Sequence, residues 1–333
     1  MSKILVTGGA GFIGSNLCEH LLVNGYEVVC LDNFSTGHMY NIQYLLDDYP
    51  TRFTLIEGDI RNFETCIRAV DGVDSILHEA ALGSIPRSLE NPITTNDVNV
   101  GGFLNMLVAA RDYKVKRFIF AASSSTYGDS TELPKIEERI GKPMSPYALT
   151  KYVNELYADV FAKTYGMEYI GLRYFNVFGR RQDPSSMYAA VIPLFIKQYL
   201  NHKQPNINGD GLSTRDFTYI DNVVHMNMLA LKATNTQATN QIYNTAGGER
   251  ISINQLANDI KAYLVQHDSS ISDINPIHGS YRLGDIPHSF ACIDKAKRLL
   301  DYSPLVSFQE GLKETVKWYV NNQNPICQLI TLI

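Results

Sequence analysis

A short apolar strand followed at once by three glycines at a three-residue spacing constrains the fold of this chain more than any other feature. Lys3 to Thr7 has the pattern of a buried strand, and Gly8, Gly11 and Gly14 then open a segment with apolar residues at helical spacing. Glycine lets the backbone approach a pyrophosphate closely, and a helix N-terminus offers unpaired N–H groups and a favourable dipole to an anion. This order of strand, glycine turn and helix predicts a dinucleotide-binding site.

A second predicted strand, Glu27 to Leu31, ends in an acidic residue. Asp32 follows Gly14 near the spacing of roughly 20 residues expected of the carboxylate that binds the adenosine ribose. The same carboxylate repels a 2′-phosphate, and the neighbouring Asn33 and Phe34 supply no cation to attract one. The sequence therefore predicts NAD, rather than NADP, as the cofactor.

The middle of the chain carries a tyrosine and a lysine one helical turn apart. Tyr147 and Lys151 follow Ser145-Pro146, and positions i and i+4 share one face of a helix. A tyrosine is a poor base because its reference pKa is about 10, but an adjacent ammonium and a nearby pyridinium would both favour the phenolate. Because Ser123 lies upstream at the end of another predicted strand, the set predicts proton chemistry beside a nicotinamide.

Several motifs together resemble the extended short-chain dehydrogenase/reductases, and among them the nucleotide-sugar epimerases. The glycine turn, the set of Ser123, Tyr147 and Lys151, and the run 173–179 carry this resemblance, which extends to about Tyr319. Three further runs are similar to bacterial UDP-N-acetylglucosamine 4-epimerases of surface-polysaccharide pathways: 78–88, 123–129 and 178–184.

The resemblance implies a 4-epimerase that oxidises the sugar at C4, lets the 4-keto intermediate rotate and reduces it again on enzyme-bound NAD. Tyr147 would take the O4 proton, Ser123 would hydrogen-bond to the same oxygen, and Lys151 would keep the phenolate ionised. The cofactor contacts that the resemblance implies are Gly8, Gly11, Phe12, Ile13, Gly14, Asp32, Asn33, Asp59, Ile60, Ala80, Ala81, Asn99, Tyr147, Lys151 and Tyr174. The substrate contacts are Gly83, Ser84, Ser123, Ser124, Ser125, Tyr147, Asn176, Val191, Asn206, Arg215, Arg282, Asp285 and Ser289, and no metal is expected.

Two arginines and one serine carry the substrate prediction. Arg215 and Arg282 stand beside glycine-containing loops, and a guanidinium suits bidentate contact with a diphosphate. By resemblance, both bind the UDP pyrophosphate. In the epimerases that the chain resembles, a tyrosine at the position of Ser289 restricts the enzyme to plain hexoses, whereas a small residue leaves room for a 2-acetamido group. The alternative is that Ser289 only caps a turn after Pro287.

The residues that follow Ser123 distinguish between related functions of the resembling family. A 4,6-dehydratase of this family normally has an Asp-Glu pair there, and a UDP-glucuronate decarboxylase usually has a Glu, whereas this chain has Ser124 and Ser125. Both of these activities are disfavoured, because hydroxyl groups cannot replace carboxylates in acid or base chemistry. A 4-epimerase of UDP-glucose, or of a UDP-hexuronic acid, stays open. A catalytically silent NAD-binding regulator is a distant alternative, since it predicts loss of a residue of the catalytic set.

Predicted strands alternate with helical segments along the first half of the chain. This alternation predicts an α/β fold, a Rossmann-type doubly wound parallel sheet with a smaller C-terminal α/β substrate domain. We expect an NAD-binding domain over 1–175 and a substrate domain over 176–333, with 216–240 returning to the first. The predicted strands are 3–7, 27–31, 53–57, 73–78, 117–122 and 168–173.

Charge and composition limit the partners and the location. The net charge of −5 argues against nucleic acid. With no apolar run of membrane-spanning length and no leader pattern at the N-terminus, we expect a cytoplasmic protein.

The resemblance implies a homodimer that pairs helices near 99–111 and 147–165 through Leu104, Val108, Tyr152 and Tyr157. The cysteines, expected as buried free thiols without metal spacing, are Cys18, Cys30, Cys66, Cys292 and Cys327.

Overall fold

The computed structural model describes residues 2–185, 189–281 and 287–322. The strands are β1 (Lys3–Thr7), β2 (Glu27–Asp32), β3 (Phe53–Glu57), β4 (Ser75–His78), β5 (Arg117–Ser123), β6 (Tyr169–Tyr174), β7 (Val177–Phe178), β8 (Asn206–Asn208), β9 (Thr214–Arg215), β10 (Thr218–Tyr219), β11 (Gln241–Thr245), β12 (Ile251–Ser252) and β13 (Ile277–Gly279). The α-helices are α1 (Phe12–Val23), α2 (Gln43–Asp48), α3 (Phe63–Val70), α4 (Ile85–Glu90), α5 (Pro92–Asn96), α6 (Phe103–Asp112), α7 (Pro146–Tyr165), α8 (Val191–Leu200), α9 (Ile220–Lys232), α10 (Ile253–Val265), α11 (Asp294–Leu300) and α12 (Phe308–Asn321). A π-helix, Asp97–Gly102, runs directly into α6, and 3₁₀ turns lie at Met39–Asn41, Ser124–Tyr127 and Ser269–Asp273.

Seven of the described strands form one parallel sheet in the order β11-β6-β5-β4-β1-β2-β3. The chain begins at β1, moves outward through β2 and β3, and then returns to β4 and moves outward in the other direction. The direction therefore reverses between β1 and β4. In doubly wound sheets, ligands bind in the crevice at such a switch point, beyond the carboxyl ends of the strands.

Both faces of the sheet are covered because successive strand residues alternate in direction. On β1, Ile4 and Val6 join a core under α1 and α9, whereas Leu5 joins a second core under α3, α6 and α7. Burial of apolar side chains against both layers of helices is what holds these elements together. The doubly wound α/β prediction is confirmed.

The six strands predicted from the sequence are present within two residues of their predicted bounds. A seventh, β11, was not predicted. It follows the polar run 234–240, which has the composition of a loop. The burial of Tyr243 and its pairing with β6 give this short segment its strand conformation.

The chain returns to the sheet after leaving it at β6. Helix α9 packs on α1, and β11 then adds next to β6, so the returning segment extends to Thr245. Three two-stranded sheets, β7 with β10, β9 with β12 and β8 with β13, lie outside the seven-stranded sheet in the described part of the chain. Phe178, Phe217 and Phe308 pack together and continue the core beyond the seven-stranded sheet.

Cys18, Cys30 and Cys66 are buried free thiols, as predicted, whereas Cys292 is a free thiol that is only partly buried. Cys327 lies outside the described residues. None of the helices in the described part of the chain is both long and apolar enough to cross a membrane.

Candidate active site

The glycine turn places the first turn of α1 against the switch point of the sheet. Gly11 is the N-cap residue of α1, and among the described residues no side chain caps this helix. The first N–H groups of an α-helix have no partner within the helix. Here they belong to Phe12, Ile13 and Gly14, which line a cavity. This end of α1 is therefore suited to hold a phosphate group.

Two of the three glycines are required by close backbone contacts. Gly8 has a φ of +67°, and a Cβ there would lie 2.8 Å from the Ala80 amide nitrogen at the end of β4. A Cβ on Gly14 would lie 2.1 Å from the Gly8 carbonyl oxygen. The turn thus keeps β1, β4 and α1 closer together than any side chain would allow.

Asp32 ends β2 at the far side of the same turn. Its carboxylate accepts hydrogen bonds from the amides of Ala10, at 2.9 Å, and Phe34, at 2.8 Å. Burial raises the pKa of Asp32, and these two hydrogen bonds oppose the rise. A carboxylate held this way still has lone pairs for the hydroxyls of a ribose. Beside it, Asn33 donates to Asp59 at 2.7 Å.

These groups surround a cavity of about 710 Å³, which we call the dinucleotide cleft. A dinucleotide fits this donor set, because the cleft offers helix N–H groups for a pyrophosphate and a carboxylate for a ribose. The predicted cofactor residues that line it are Gly8, Gly11, Phe12, Ile13, Gly14, Asp32, Asn33, Asp59, Ile60, Ala80, Ala81, Tyr147, Lys151 and Tyr174.

Ser123, Tyr147 and Lys151 meet at one end of the dinucleotide cleft, which we call its catalytic end. Helix α7 begins beside β5 because Pro146 occupies its first turn and the Ser145 hydroxyl accepts from the Ala148 amide at 3.1 Å. Tyr147 and Lys151 therefore both face the cleft. The Lys151 ammonium donates to the Ala121 carbonyl at 2.8 Å.

The Ser123 hydroxyl is oriented by the turn that follows it. Its oxygen accepts from the Ser125 hydroxyl at 2.8 Å and from the Ser125 amide at 3.1 Å. With both lone pairs used, the Ser123 hydroxyl acts as a donor. This arrangement suits hydrogen bonding to an oxygen that lies between Ser123 and Tyr147.

Burial raises the pKa of Tyr147, and interaction with the Ser123 hydroxyl opposes the rise. Burial also lowers the pKa of Lys151 to about 8. In the protein alone, desolvation of the phenol dominates the Tyr147 pKa, and Lys151 is not among the groups that shift it. The positive charge of a bound oxidised nicotinamide would have to supply the remaining stabilisation of the phenolate.

A second cavity of about 580 Å³, which we call the sugar cavity, adjoins the catalytic end. Ser124, Asn176 and Gln182 line both cavities. The predicted substrate residues Ser84, Ser125, Val191, Arg215 and Ser289 line the sugar cavity, whereas Gly83 lines the dinucleotide cleft.

Arg215 and Ser289 are positioned by the same backbone segment. The Ser289 amide donates to the Thr214 carbonyl at 3.0 Å, and the Arg215 guanidinium donates to the Thr214 and Pro287 carbonyls. In the described part of the chain, the Ser289 hydroxyl makes no hydrogen bond. The structure therefore does not support the alternative that this hydroxyl caps a turn.

Several predicted site residues lie elsewhere. Asn99 does not line the dinucleotide cleft, because its side chain bonds to the backbone of Leu82 and to the Thr150 hydroxyl and so ties the loop after β4 to α7. Asn206 is exposed and lines neither cavity, because β8 pairs with β13 at the protein surface. Arg282 and Asp285 lie outside the described residues.

The structure adds polar residues that sequence reasoning missed. Glu79 lines the catalytic end and accepts from the Tyr174 hydroxyl at 2.7 Å. His38 and Asp183 also line the dinucleotide cleft and contact each other at 3.2 Å. Both Glu79 and Asp183 lie within runs that carried the resemblance, but no local pattern shows where their side chains point. No group of three or more potential metal ligands is found among the described residues.

A family model described as the NAD dependent epimerase/dehydratase family matches residues 4–246. A putative UDP-glucose 4-epimerase of Methanocaldococcus jannaschii is 38% identical over 322 residues, which cover 96% of this chain and 99% of that protein. The solved UDP-N-acetylglucosamine 4-epimerase of Methanobrevibacter ruminantium, in complex with UDP-N-acetylmuramic acid, has a TM-score of 0.88 at 36% identity, covering 96% of this chain and 98% of that one. UDP-glucuronic acid 4-epimerase of Bacillus cereus, in complex with UDP-glucuronic acid and NAD, has a TM-score of 0.85 at 34% identity, covering 98% and 99%.

Proposed function

The chain belongs to the NAD-dependent epimerase/dehydratase family, and from that premise we propose that it is a UDP-sugar 4-epimerase that interconverts UDP-N-acetylglucosamine and UDP-N-acetylgalactosamine. Its cofactor is NAD. The observation that carries the proposal is the junction of the two cavities. The dinucleotide cleft and the sugar cavity share Ser124 and Asn176, and they meet where Ser123 and Tyr147 converge.

Each residue of the catalytic set has one role. Ser123 donates a hydrogen bond to the sugar O4, because Ser125 occupies its lone pairs. Tyr147 accepts the O4 proton and later returns it. Lys151, held on the Ala121 carbonyl, supplies the ammonium that lines the same cavity as Tyr147. When bound, NAD supplies the oxidant at C4 and the reductant that restores that carbon.

A 4-keto sugar must turn over before it is reduced on its opposite face, so the nucleotide end has to be held while the sugar moves. Arg215, whose guanidinium is oriented by the Thr214 and Pro287 carbonyls, binds the diphosphate. Val191 lines the same cavity and packs on the uridine. Binding free energy gained at this remote end leaves the reacting ring free to rotate.

Two features of the sugar cavity support an N-acetylhexosamine. Ser289 is small and its backbone is fixed to Thr214, so its side chain leaves space in the cavity. Ile85, Pro86, Leu89 and Met144 form an apolar wall that suits the methyl group of an acetamide. Arg215 is the one cationic residue among the described residues of this lining, so a uronate carboxylate would have to compete with the diphosphate for it.

A substrate panel tests the proposal. The purified protein is assayed with UDP-N-acetylglucosamine, UDP-glucose and UDP-glucuronate at matched concentrations, and kcat/KM is compared. We expect the highest value for UDP-N-acetylglucosamine. A preference for either other sugar would overturn the substrate but retain the epimerase. Bound NAD with no turnover of any sugar would favour the non-catalytic regulator.

We also propose a homodimer in a cytoplasmic setting, formed through α7. Of the residues predicted for its face, Leu104, Val108 and Tyr157 pack partly against the sheet. The large apolar side chains that α7 exposes are instead Leu149 at 52%, Leu156 at 48%, Val160 at 52% and Tyr165 at 49%, with Ile93 nearby on α5. An apolar stripe of this kind is typical of an interface. Light scattering at micromolar concentration should show a dimer, and a monomer would contradict the proposal.

A further inference from the structure

A carboxyl group without a role in the proposed chemistry lies at the catalytic end of the dinucleotide cleft. Glu79 directly follows β4 and lines the same cavity as Ser123, Tyr147 and Lys151. Its Oε1 accepts from the Tyr174 hydroxyl at 2.7 Å. That hydroxyl in turn accepts from the Asn227 amide at 2.9 Å. The carboxyl is thus held in place by β6 and α9, at the edge of the cavity.

The titratable groups that interact with Glu79 come from two elements: Lys151 and Tyr147 belong to α7, and Tyr174 belongs to β6. His78 directly precedes Glu79 at the end of β4. Burial lowers the pKa of His78 to about 3, with Lys151 contributing, so its ring is neutral. Lys151 and Glu79 are therefore the cation and the anion at this end of the described cleft.

Glu79 acts on both catalytic groups through its charge. Burial raises the pKa of Glu79 to about 7, and the Tyr174 hydrogen bond and Lys151 oppose that rise. The Glu79 carboxylate opposes the lowering of the Lys151 pKa by burial, so it helps to keep the ammonium charged. It also adds to the raised pKa of Tyr147. Glu79 thus helps to keep Lys151 protonated and makes deprotonation of Tyr147 harder.

We propose that Glu79 is a positioning residue that sets the charge balance of the catalytic end, so that the cationic, oxidised form of NAD is bound in preference to the neutral, reduced form. This inference rests on the proposed function, which gives the reason for keeping the bound cofactor oxidised. An epimerase gains and loses no electrons over a turnover, so a cofactor left reduced could not begin the next one.

The physical reason is the sign of each charge. An oxidised nicotinamide is a cation and a reduced one is neutral, and a carboxylate in a poorly solvated cavity stabilises only the former. Lys151 has the opposite effect. Without Glu79, no negative charge would compensate the Lys151 ammonium near the cationic ring. Binding of the reduced form would then be favoured relative to the oxidised form.

The test uses Glu79→Gln in the holoenzyme, because glutamine keeps an acceptor for Tyr174 and removes only the charge. Spectroelectrochemical titration with mediator dyes measures the ratio of reduced to oxidised bound nicotinamide at a fixed potential. We expect this ratio to rise by roughly tenfold or more. Glu137→Gln is the matched control, because Glu137 is a buried carboxyl that lines neither cavity. It should leave the ratio unchanged.

A second readout follows Tyr147 directly. Because the Glu79 carboxylate raises the pKa of Tyr147, its removal should lower that pKa, and tyrosinate absorbance should appear at lower pH in Glu79→Gln. The acid limb of the kcat profile should move in the same direction. A merely structural role for Glu79 would move neither the ratio nor the titration.

An unchanged ratio in a folded, NAD-loaded Glu79→Gln protein would overturn the proposal. If that variant does not fold, Tyr174→Phe tests the same point, because losing the hydrogen-bond donor raises the Glu79 pKa and should shift the ratio the same way at neutral pH. No shift there would equally overturn it. The titration needs no sugar, so an error in the proposed substrate would leave its result standing.

Discussion

The dinucleotide cleft and the sugar cavity adjoin, yet they are built in different ways. The phosphate-binding part of the cleft is made of backbone: the ends of parallel strands, the first turn of α1, and glycines that a single Cβ would displace. The sugar cavity is made largely of side chains on short helices, loops and the short strand β9, such as Met144, Ser289 and Arg215. Backbone sites accept or reject a ligand as a whole, whereas side-chain walls can be changed one residue at a time.

The largest expected effect lies where the two regions meet. Tyr147→Phe should lower kcat by roughly 10²-fold or more, because a positioned acid/base is lost, while NAD stays bound. Steady-state kinetics with quantification of bound NAD measures both. Tyr165→Phe, at the other end of α7 and in neither cavity lining, is the control. Near-normal turnover in Tyr147→Phe would remove this residue from the reaction.

A single methyl group added at the glycine turn of the cleft should weaken binding of the whole cofactor. Gly14→Ala places a Cβ 2.1 Å from the Gly8 carbonyl oxygen, so the turn must move. Overpacking of this kind costs about 1–3 kcal/mol, and we expect the dissociation constant of NAD to rise by roughly 10- to 100-fold. Isothermal titration of the NAD-free protein measures it. Gly101→Ala has open space around its Cβ and should bind like the parent. Equal affinity in both variants would contradict the account of the turn.

A substitution in the sugar cavity should change selectivity and leave the cofactor alone. Ser289→Tyr adds a ring in the space that an acetamido group needs, so conversion of UDP-N-acetylglucosamine should be lost while that of UDP-glucose is spared or improved. The ratio of the two kcat/KM values measures this. Ser289→Ala stays small and should keep the parent ratio. Equal loss for both sugars would mean damage to the fold, and no loss for either would show that Ser289 does not face the sugar.

The smallest effect is expected from a side chain within the cleft. Asp32→Ala should weaken NAD binding by roughly tenfold and reduce discrimination against NADP, because hydrogen bonds to a charged group and the repulsion of a 2′-phosphate both disappear. Asp32→Asn should lose the discrimination but keep more of the affinity. Binding of the two cofactors to each variant is the measurement. Unchanged NAD affinity in Asp32→Ala would place the ribose-binding acid elsewhere.

The cleft could be predicted because its signals are local. Glycine spacing, an acid at the end of the next strand, and a tyrosine and lysine one turn apart are each readable within a few residues. Parallel strands then bring these segments to one edge of the sheet without further information. The same logic does not extend to β11, whose strand conformation depends on pairing with β6.

The other features of the site could not be predicted from the sequence, because they depend on contacts between segments that are distant along the chain. His38 and Asp183, or Glu79 and Tyr174, meet only after folding. Asn99 was placed in the cleft by resemblance, but the π-helix that contains it aims its side chain at Leu82 and Thr150.

The central claim is that one carbon is oxidised and reduced again without leaving the site where the two regions meet. Its most direct test is turnover of UDP-N-acetylglucosamine carrying deuterium at C4, with the product examined by NMR and mass spectrometry. The account predicts UDP-N-acetylgalactosamine that retains the deuterium at C4, with none released to water. Replacement of that deuterium by solvent hydrogen would contradict the account, because it would mean that C4 exchanges its hydrogen with water during epimerisation.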